Sequence, residues 1–103
     1  MKLYKTENKR DGDPDYYFQC PGCKCDHGIW VTPYYNGNGA TWSFNGDVNK
    51  PTFSPSIKVT CPTPKRMLIC HSFVKDGKIE YLSDCTHELA GQTIELPEYD
   101  KEN

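Results

Sequence analysis

Cysteine and histidine residues capable of binding a metal occur in two groups that lie far apart in the sequence. The first is Cys20-Pro21-Gly22-Cys23, in which two thiolates can point at one tetrahedral ion while the Pro-Gly pair turns the chain between them. The second comprises Cys70-His71 and Cys85-Thr86-His87. A metal ion shared by the two groups would tie an early hairpin to a late one.

The supply of thiolates favours a closed metal site. We predict a structural Zn²⁺ bound by four cysteines: Cys20, Cys23, Cys70 and Cys85. Four thiolates complete a tetrahedral shell and leave no open position for water. His87, two residues after Cys85, is the first substitute if one cysteine is absent from the shell. Cys25 and His27, which follow the first pair, are either alternative ligands or bystanders.

Length, charge and the N-terminal sequence narrow the class of protein. The 103 residues suggest a single domain, residues 1–103, with a small core. Twelve basic residues against fourteen acidic ones, with no basic stripe, disfavour nucleic-acid binding. No apolar run is long enough to span a bilayer, and the charged start lacks a secretory signal. We therefore expect a cytoplasmic protein, in which six cysteines indicate metal binding rather than three disulfides.

Short β-prone runs separated by turns predict a mostly β fold: a small antiparallel sheet with a zinc-ribbon-like knuckle. Eight glycines and eight prolines supply many turns. Residues 16–18 lead into the knuckle and residues 29–31 lead out of it. The segment 50–59 contains two prolines, so we expect an extended, edge-like path before Ile57 and Val59 enter the sheet. No helix is evident, and the ends are expected to be loosely ordered: residues 1–15 and 98–103.

The clearest structural prediction is a β-hairpin over residues 67–83, because Asp76-Gly77 suits a two-residue type I′ turn. This turn fixes six cross-strand pairs: Lys75–Lys78, Val74–Ile79, Phe73–Glu80, Ser72–Tyr81, His71–Leu82 and Cys70–Ser83. Strand alternation then gathers one set of side chains on a common face: Cys70, Ser72, Val74, Ile79, Tyr81, Ser83 and Cys85. His71 points to the other face.

His71 is the candidate base of a hydrolytic site, although a half-buried structural histidine would fit the same position. Ser56, in an extended Pro-Ser-Ile segment, is the first candidate nucleophile. A base beside a serine hydroxyl, oriented by a carboxylate, makes an acyl-transfer site. The remaining candidates are Ser54 and Ser72 as nucleophiles, and Asp84 or Asp47 as the carboxylate.

An open metal site is the alternative form of catalysis. Cys20, Cys23 and one imidazole could hold a catalytic zinc with a bound water, for which Glu88 or Asp84 would be the base. This arrangement ranks lower because the sequence offers enough thiolates to close the shell.

The chain resembles a family of small zinc-binding proteins, widespread in phages and bacteria, that often carry the misleading label "ammonia monooxygenase". The resemblance covers about residues 18–97 and is carried by five segments: Phe18–Cys23, Trp42–Asp47, Pro51–Ile57, Cys70–Ile79 and His87–Thr93. More distantly, the chain is similar to proposed peptidases of bacterial ubiquitin-like conjugation operons. That group shares a cysteine-rich knuckle, a segment matching Pro55-Ser56-Ile57, and a histidine matching His71 before a glycine hairpin.

The resemblance implies a zinc-containing β fold in a bacterial or phage-infected cell and a protein as substrate or partner. One hypothesis is a zinc-stabilised peptidase-like hydrolase acting on a ubiquitin-like or other protein, in which Ser56 attacks and His71 is the base. Asp84 or His87 would support that base. The alternative is a non-catalytic zinc-ribbon module, such as a phage factor that acts on a host protein. Its contacts would come from exposed aromatic residues: Tyr34, Tyr35 and Trp42.

Overall fold

The computed structural model describes residues 1–100, and residues 101–103 lie outside the described part of the chain. The elements are eight strands: β1 Tyr4–Lys5, β2 Tyr16–Cys20, β3 Cys25–Ile29, β4 Ser43–Phe44, β5 Phe53–Pro62, β6 Met67–Lys75, β7 Lys78–Tyr81 and β8 Thr93–Glu95. They form a three-stranded sheet, β1-β2-β3, and a five-stranded sheet, β4-β5-β6-β7-β8, each antiparallel throughout. Residues 1–100 contain no α-helix, so no described helix could cross a membrane. The predicted mostly β, antiparallel fold is confirmed.

The β2–β3 hairpin forms the knuckle. Its strands pair from Tyr16 opposite Ile29 to Cys20 opposite Cys25. The turn between them is closed by the Lys24 amide, which donates to the Cys20 carbonyl at 2.7 Å. The strand that leaves the knuckle, β3, thus begins at Cys25. The predicted outgoing segment, residues 29–31, began four residues too late. The reason is that Lys24 takes a left-handed conformation, with a φ of 59°, and completes the turn at once.

The β6–β7 hairpin has the predicted register over four pairs, from Lys75 opposite Lys78 to Ser72 opposite Tyr81. Past the end of β7 the Leu82 amide still donates to the His71 carbonyl at 2.9 Å, so the predicted His71–Leu82 contact is present although the strand has ended. The predicted pair Cys70–Ser83 was wrong, because the chain turns there. The Cys85 amide donates to the Leu82 carbonyl at 3.2 Å and closes this turn.

Strand β5 is paired differently along its two edges. On one edge β4 covers only Phe53 and Ser54. On the other, the register shifts between Phe53 and Ile57 and then runs regularly against β6 as far as Pro62. The two-proline segment therefore enters the sheet at Phe53, earlier than predicted, and its regular pairing with β6 begins at Ile57.

The core lies where the two sheets contribute buried side chains to one cluster. It contains Leu3, Phe18, Cys20, Ile29, Trp42, Phe53, Ile57, Cys70, Val74, Ile79, Tyr81, Cys85 and Leu96. Trp42 is only 7% exposed, so the prediction of an exposed contact aromatic was wrong at this position. The indole is buried because it packs into this cluster and its ring nitrogen donates to the Ser56 carbonyl at 3.2 Å.

Part of the segment 98–103, predicted to be loosely ordered, falls outside the described residues. Tyr99 lies inside them and stacks on Tyr4, with ring centroids 5.4 Å apart. Its amide donates to the Met1 carbonyl at 2.9 Å, and its hydroxyl donates to the Asp26 carboxylate. These contacts hold the end of the described chain against the three-stranded sheet.

Candidate active site and metal centre

A serine, a histidine and an aspartate are linked by hydrogen bonds on one face of the five-stranded sheet. The Ser56 hydroxyl oxygen lies 3.1 Å from His71 Nε2. On the other side of the imidazole ring, His71 Nδ1 lies 3.0 Å from Asp84 Oδ2. The His71 side chain is 22% exposed, so the ring is largely enclosed by protein and still partly accessible.

The strand register brings Ser56 and His71 together. Lys58 of β5 lies directly opposite His71 of β6, and residues opposite one another in an antiparallel pair point to the same face. Ser56 is two residues before Lys58, so alternation puts its hydroxyl on that face as a diagonal neighbour of His71. The Ser56 carbonyl is fixed separately by the hydrogen bond from the Trp42 indole.

Asp84 reaches His71 from the turn that follows β7, and Cys85 attaches that turn to β6. The His71 amide donates to Cys85 Sγ at 3.2 Å, and the Cys85 thiol donates to the His71 carbonyl at 3.1 Å. The next residue, Thr86, continues the pairing, since its amide donates to the Ile69 carbonyl at 2.9 Å. Cys85 is thus hydrogen-bonded to both the amide and the carbonyl of His71, and the neighbouring Asp84 orients the His71 ring.

The electrostatics of Asp84 fit an ionised partner for the imidazole. The hydrogen bond from His71 lowers the pKa of the Asp84 carboxyl below its ordinary value, and the charges of His71 and Lys58 act in the same direction. A carboxylate that accepts from Nδ1–H leaves Nε2 as the lone-pair nitrogen, which is the form that can take a proton from Ser56.

The other candidates for hydrolytic chemistry lie elsewhere. Ser72 is buried on the opposite face of β6. Asp47 accepts from the Asn49 and Lys50 amides in its own turn, which lowers the pKa of its carboxyl. His87 packs edge-on against the Tyr81 ring at 4.5 Å rather than supporting His71.

A second cluster, of metal-ligand character, lies on the buried side of the same sheet. Cys20, Cys23, His27 and Cys70 have ligand atoms that all lie within 4.8 Å of one another. The Sγ atoms of Cys20 and Cys70 are 3.8 Å apart. Two sulfurs bound to one tetrahedral zinc at ~2.3 Å would be separated by ~3.8 Å, so this spacing suits a shared ion.

Without a cation, ionisation of one thiol in this cluster disfavours ionisation of the others. The hydrogen bond from Cys70 lowers the pKa of Cys20 to about 3, and the same bond raises the pKa of Cys70 well above its ordinary value. Burial, followed by the Cys20 charge, raises the pKa of Cys23 to about 12. A dication would reverse this pattern, since it stabilises several thiolates at once.

An unsatisfied nitrogen inside this cluster supports the same interpretation. His27 is buried, and its Nε2 atom has no hydrogen-bond partner, which is costly for a polar atom in a core. It lies in β3 opposite Phe18, so that its ring enters the core beside the thiols. A metal ligand is the role that satisfies this nitrogen, and the donor set of three thiolates and one imidazole suits Zn²⁺.

The predicted four-cysteine shell is therefore divided in the structure. Cys20, Cys23 and Cys70 come together with His27, whereas Cys85 belongs to a separate set with Cys70 and His87. The Nδ1 atom of His87 accepts from the Leu89 amide at 3.3 Å, which places the proton of a neutral ring on Nε2. The thiol of Cys85 is occupied by the His71 backbone. The thiol of Cys85 is thus satisfied without an ion, whereas Nε2 of His87 is buried and has no hydrogen-bond partner.

Tyr81 and Gly22 surround the knuckle thiolates. The Tyr81 hydroxyl lies 3.1 Å from Cys20 Sγ and accepts from the Gly22 amide, also at 3.1 Å. A Cβ atom at residue 22 would lie 2.4 Å from the His87 ring, so only glycine fits there. The two sulfurs outside these sets are exposed: Cys25 and Cys61.

Sequence reasoning named His27 only as an alternative ligand and missed Cys85 as a support for His71. The signal for His27 was strand alternation, because Cys20 pairs with Cys25 and alternate residues from Cys25 include His27. The role of Cys85 depends on the turn at residues 82–86, for which the sequence pattern gave no signal.

The order serine, histidine, aspartate along one chain of hydrogen bonds is the arrangement that defines serine hydrolases. The sequence model of one protein family, described as "Bacterial ubiquitination-like system serine protease (BubE)", matches residues 1–82. This chain belongs to that family. The match includes Ser56 and His71 and ends two residues before Asp84. Comparisons with curated proteins and with solved structures found no match.

Proposed function

We propose that this protein is a zinc-stabilised serine peptidase that cleaves a ubiquitin-like or other protein within a bacterial ubiquitination-like system. The observation that carries the proposal is the chain of hydrogen bonds from Ser56 through His71 to Asp84. Membership of the BubE family supports both the serine chemistry and a protein as the substrate.

Each residue has one role in the reaction. His71 Nε2 takes the hydroxyl proton as Ser56 Oγ attacks the scissile carbonyl, and the same proton then goes to the leaving amine as the acyl-enzyme forms. Water, deprotonated by His71, hydrolyses the acyl-enzyme and restores the serine. Asp84 stabilises the imidazolium through Nδ1–H and holds the ring in its productive orientation.

Zn²⁺ has a structural role in this proposal. Cys20, Cys23, His27 and Cys70 would hold it, and a shell closed by four protein ligands leaves no position for a reacting water. The ion would join the knuckle of the three-stranded sheet to β6 of the five-stranded sheet. His71 follows Cys70 directly, so the metal fixes the strand that carries the base.

A fluorophosphonate probe tests the serine chemistry, because it labels only a hydroxyl activated by a neighbouring base. We expect the wild-type protein to be labelled, Ser56→Ala to lose the label, and Ser54→Ala, an exposed serine of the same strand, to keep it. Wild-type protein that takes no label would contradict the proposal, as would Ser56→Ala protein that still reacts.

A protein-binding module without catalysis is the second candidate function. Tyr34 and Tyr35 are 56% and 67% exposed and line a cavity of about 540 Å³ together with Trp30. Aromatic side chains presented in this way are common anchors of protein interfaces. Absence of labelling together with retained binding to a partner protein would favour this function.

A further inference from the structure

Strand β5 has a free edge that begins beside the nucleophile. β4 pairs only with Phe53 and Ser54, and no other strand within residues 1–100 pairs with β5 on that side. The segment from residue 57 to residue 62 is therefore hydrogen-bonded to β6 alone. Ser56 lies at the start of this open segment.

The hydrogen bonds of β6 show which backbone groups point to the free edge. The carbonyls of His71 and Ile69 face away from β5, because they accept from the Leu82 and Thr86 amides. Backbone groups alternate in direction along a strand, so the intervening residue, Cys70, faces β5.

The same alternation applies to β5 itself. Val59 is opposite Cys70 and exchanges hydrogen bonds with it, so its neighbours Lys58 and Thr60 point their N–H and C=O groups outward. The hydrogen bond from Trp42 to the Ser56 carbonyl comes from this outer side and agrees with the assignment. Elsewhere in the described chain no group donates to or accepts from the outward backbone groups of Lys58 and Thr60.

An open edge has an ordinary explanation, since a lysine on an edge strand is a common protection against aggregation. Two features distinguish this one. The nucleophile Ser56 lies on the same strand, two residues before Lys58. In addition, the Trp42 indole occupies the edge at Ser56, so a strand added beside β5 could pair with Lys58 and Thr60 but would have to stop at the serine.

We propose that the substrate binds as an extended strand, antiparallel to β5, along the outward backbone groups of Lys58 and Thr60. This inference rests on the proposed peptidase function. In an antiparallel arrangement the added chain runs from Thr60 towards Ser56, so the paired residues are those on the N-terminal side of the scissile bond. Main-chain hydrogen bonds give affinity in this mode of recognition, and the end of pairing at Trp42 leads the scissile carbonyl to the hydroxyl.

A proline substitution at the edge tests the proposal. Thr60→Pro removes one outward N–H without touching the hydrogen bonds to β6, and edge strands tolerate proline at such positions. Its matched control is Thr60→Ala, which keeps the N–H. The substrate is the peptide that wild-type protein cleaves best in a random peptide library, with the products read by mass spectrometry. We expect Thr60→Pro to raise KM about tenfold while fluorophosphonate labelling of Ser56 is unchanged.

Methylated substrates test the same idea without changing the protein. The cleaved peptide is resynthesised with one backbone N-methyl group at a time on the N-terminal side of the scissile bond. Only amides that face β5 should be sensitive, so we expect slow cleavage at two positions separated by one tolerant position.

The outcomes separate the two proposals. Peptide cleavage by Thr60→Pro at the wild-type KM, or an N-methyl scan without alternation, would overturn the edge-binding proposal and leave the peptidase function intact. Wild-type protein that neither cleaves the library nor takes the fluorophosphonate label would overturn the peptidase function, and the edge-binding proposal with it.

Discussion

Cys70 and His71 are consecutive residues whose side chains serve opposite faces of β6. The Cys70 thiol lies 3.8 Å from Cys20 Sγ in the buried cluster, whereas His71 Nε2 lies 3.1 Å from the Ser56 hydroxyl oxygen. A single strand therefore connects the candidate metal centre to the candidate base. A change at the metal centre should therefore alter the reactivity of Ser56.

Metal removal should disable the serine. We expect a chelator such as dipicolinate to release about one Zn²⁺ per chain and to lower the melting temperature by at least ~10 °C, because the ion joins the two sheets. Labelling of Ser56 should fall with the metal content and return when Zn²⁺ is restored. Full labelling of metal-free protein would show that the two sites are independent.

The identity of the ligands can be decided by metal analysis. We expect His27→Ala to lose bound zinc, whereas His87→Ala should keep it, because only His27 lies with Cys20, Cys23 and Cys70. Since His27 is buried, His27→Cys is the informative companion: it supplies a fourth thiolate and should retain both metal and fold. Retention of zinc by His27→Ala with loss in His87→Ala would reverse the assignment.

Asp84 should be needed for rate and not for binding. We expect Asp84→Asn to reduce kcat by about 10²–10⁴-fold, because the amide favours the wrong tautomer of His71. Asp47→Asn is the matched control, since Asp47 lies in a distant turn and only accepts local amides. Equal activity of the Asp84→Asn and wild-type proteins would remove the aspartate from the mechanism.

The pH dependence of Asp84 follows from the same hydrogen bond. His71 lowers the pKa of the carboxyl, so the folded protein keeps it ionised at a pH where a free aspartate, of pKa ~3.9, is largely protonated. Its stabilising contribution is therefore present above that value and is lost as pH falls through the lower folded pKa. A carbon-detected NMR titration should show this depression in the wild type and its relief in His71→Ala; an identical titration in both would contradict it.

Cys85 should act as a positioning residue for His71. We expect Cys85→Ala to keep its zinc while labelling of Ser56 slows about tenfold, because both backbone groups of His71 lose a partner. Cys85→Ser, which preserves a donor and an acceptor, should recover part of the rate. Loss of zinc in Cys85→Ala would instead restore the four-cysteine shell that the sequence suggested.

The sequence predicted most of the late hairpin and less of the sites. The Asp76-Gly77 turn determines its own loop geometry, so the register and the outward position of His71 followed from local rules alone. The pairing of Ser56 with His71 needed the β5–β6 register, which depends on a bulge between Phe53 and Ile57 that no local pattern specifies.

The metal cluster illustrates the same limit. Spacing identified Cys20 and Cys23 as a pair, because two ligands on one turn are a local feature. The choice between His27 and Cys85 as a further ligand depends on how the two sheets pack and on where β7 stops. Trp42 was misjudged for a related reason, since its burial comes from a tertiary contact with the Ser56 carbonyl.

The closeness of Gly22 to the His87 ring limits which residues can replace Gly22. A methyl group at residue 22 would collide with the imidazole. Library screening at the knuckle should consequently accept few replacements at Gly22, unless a smaller residue replaces His87 in the same variant.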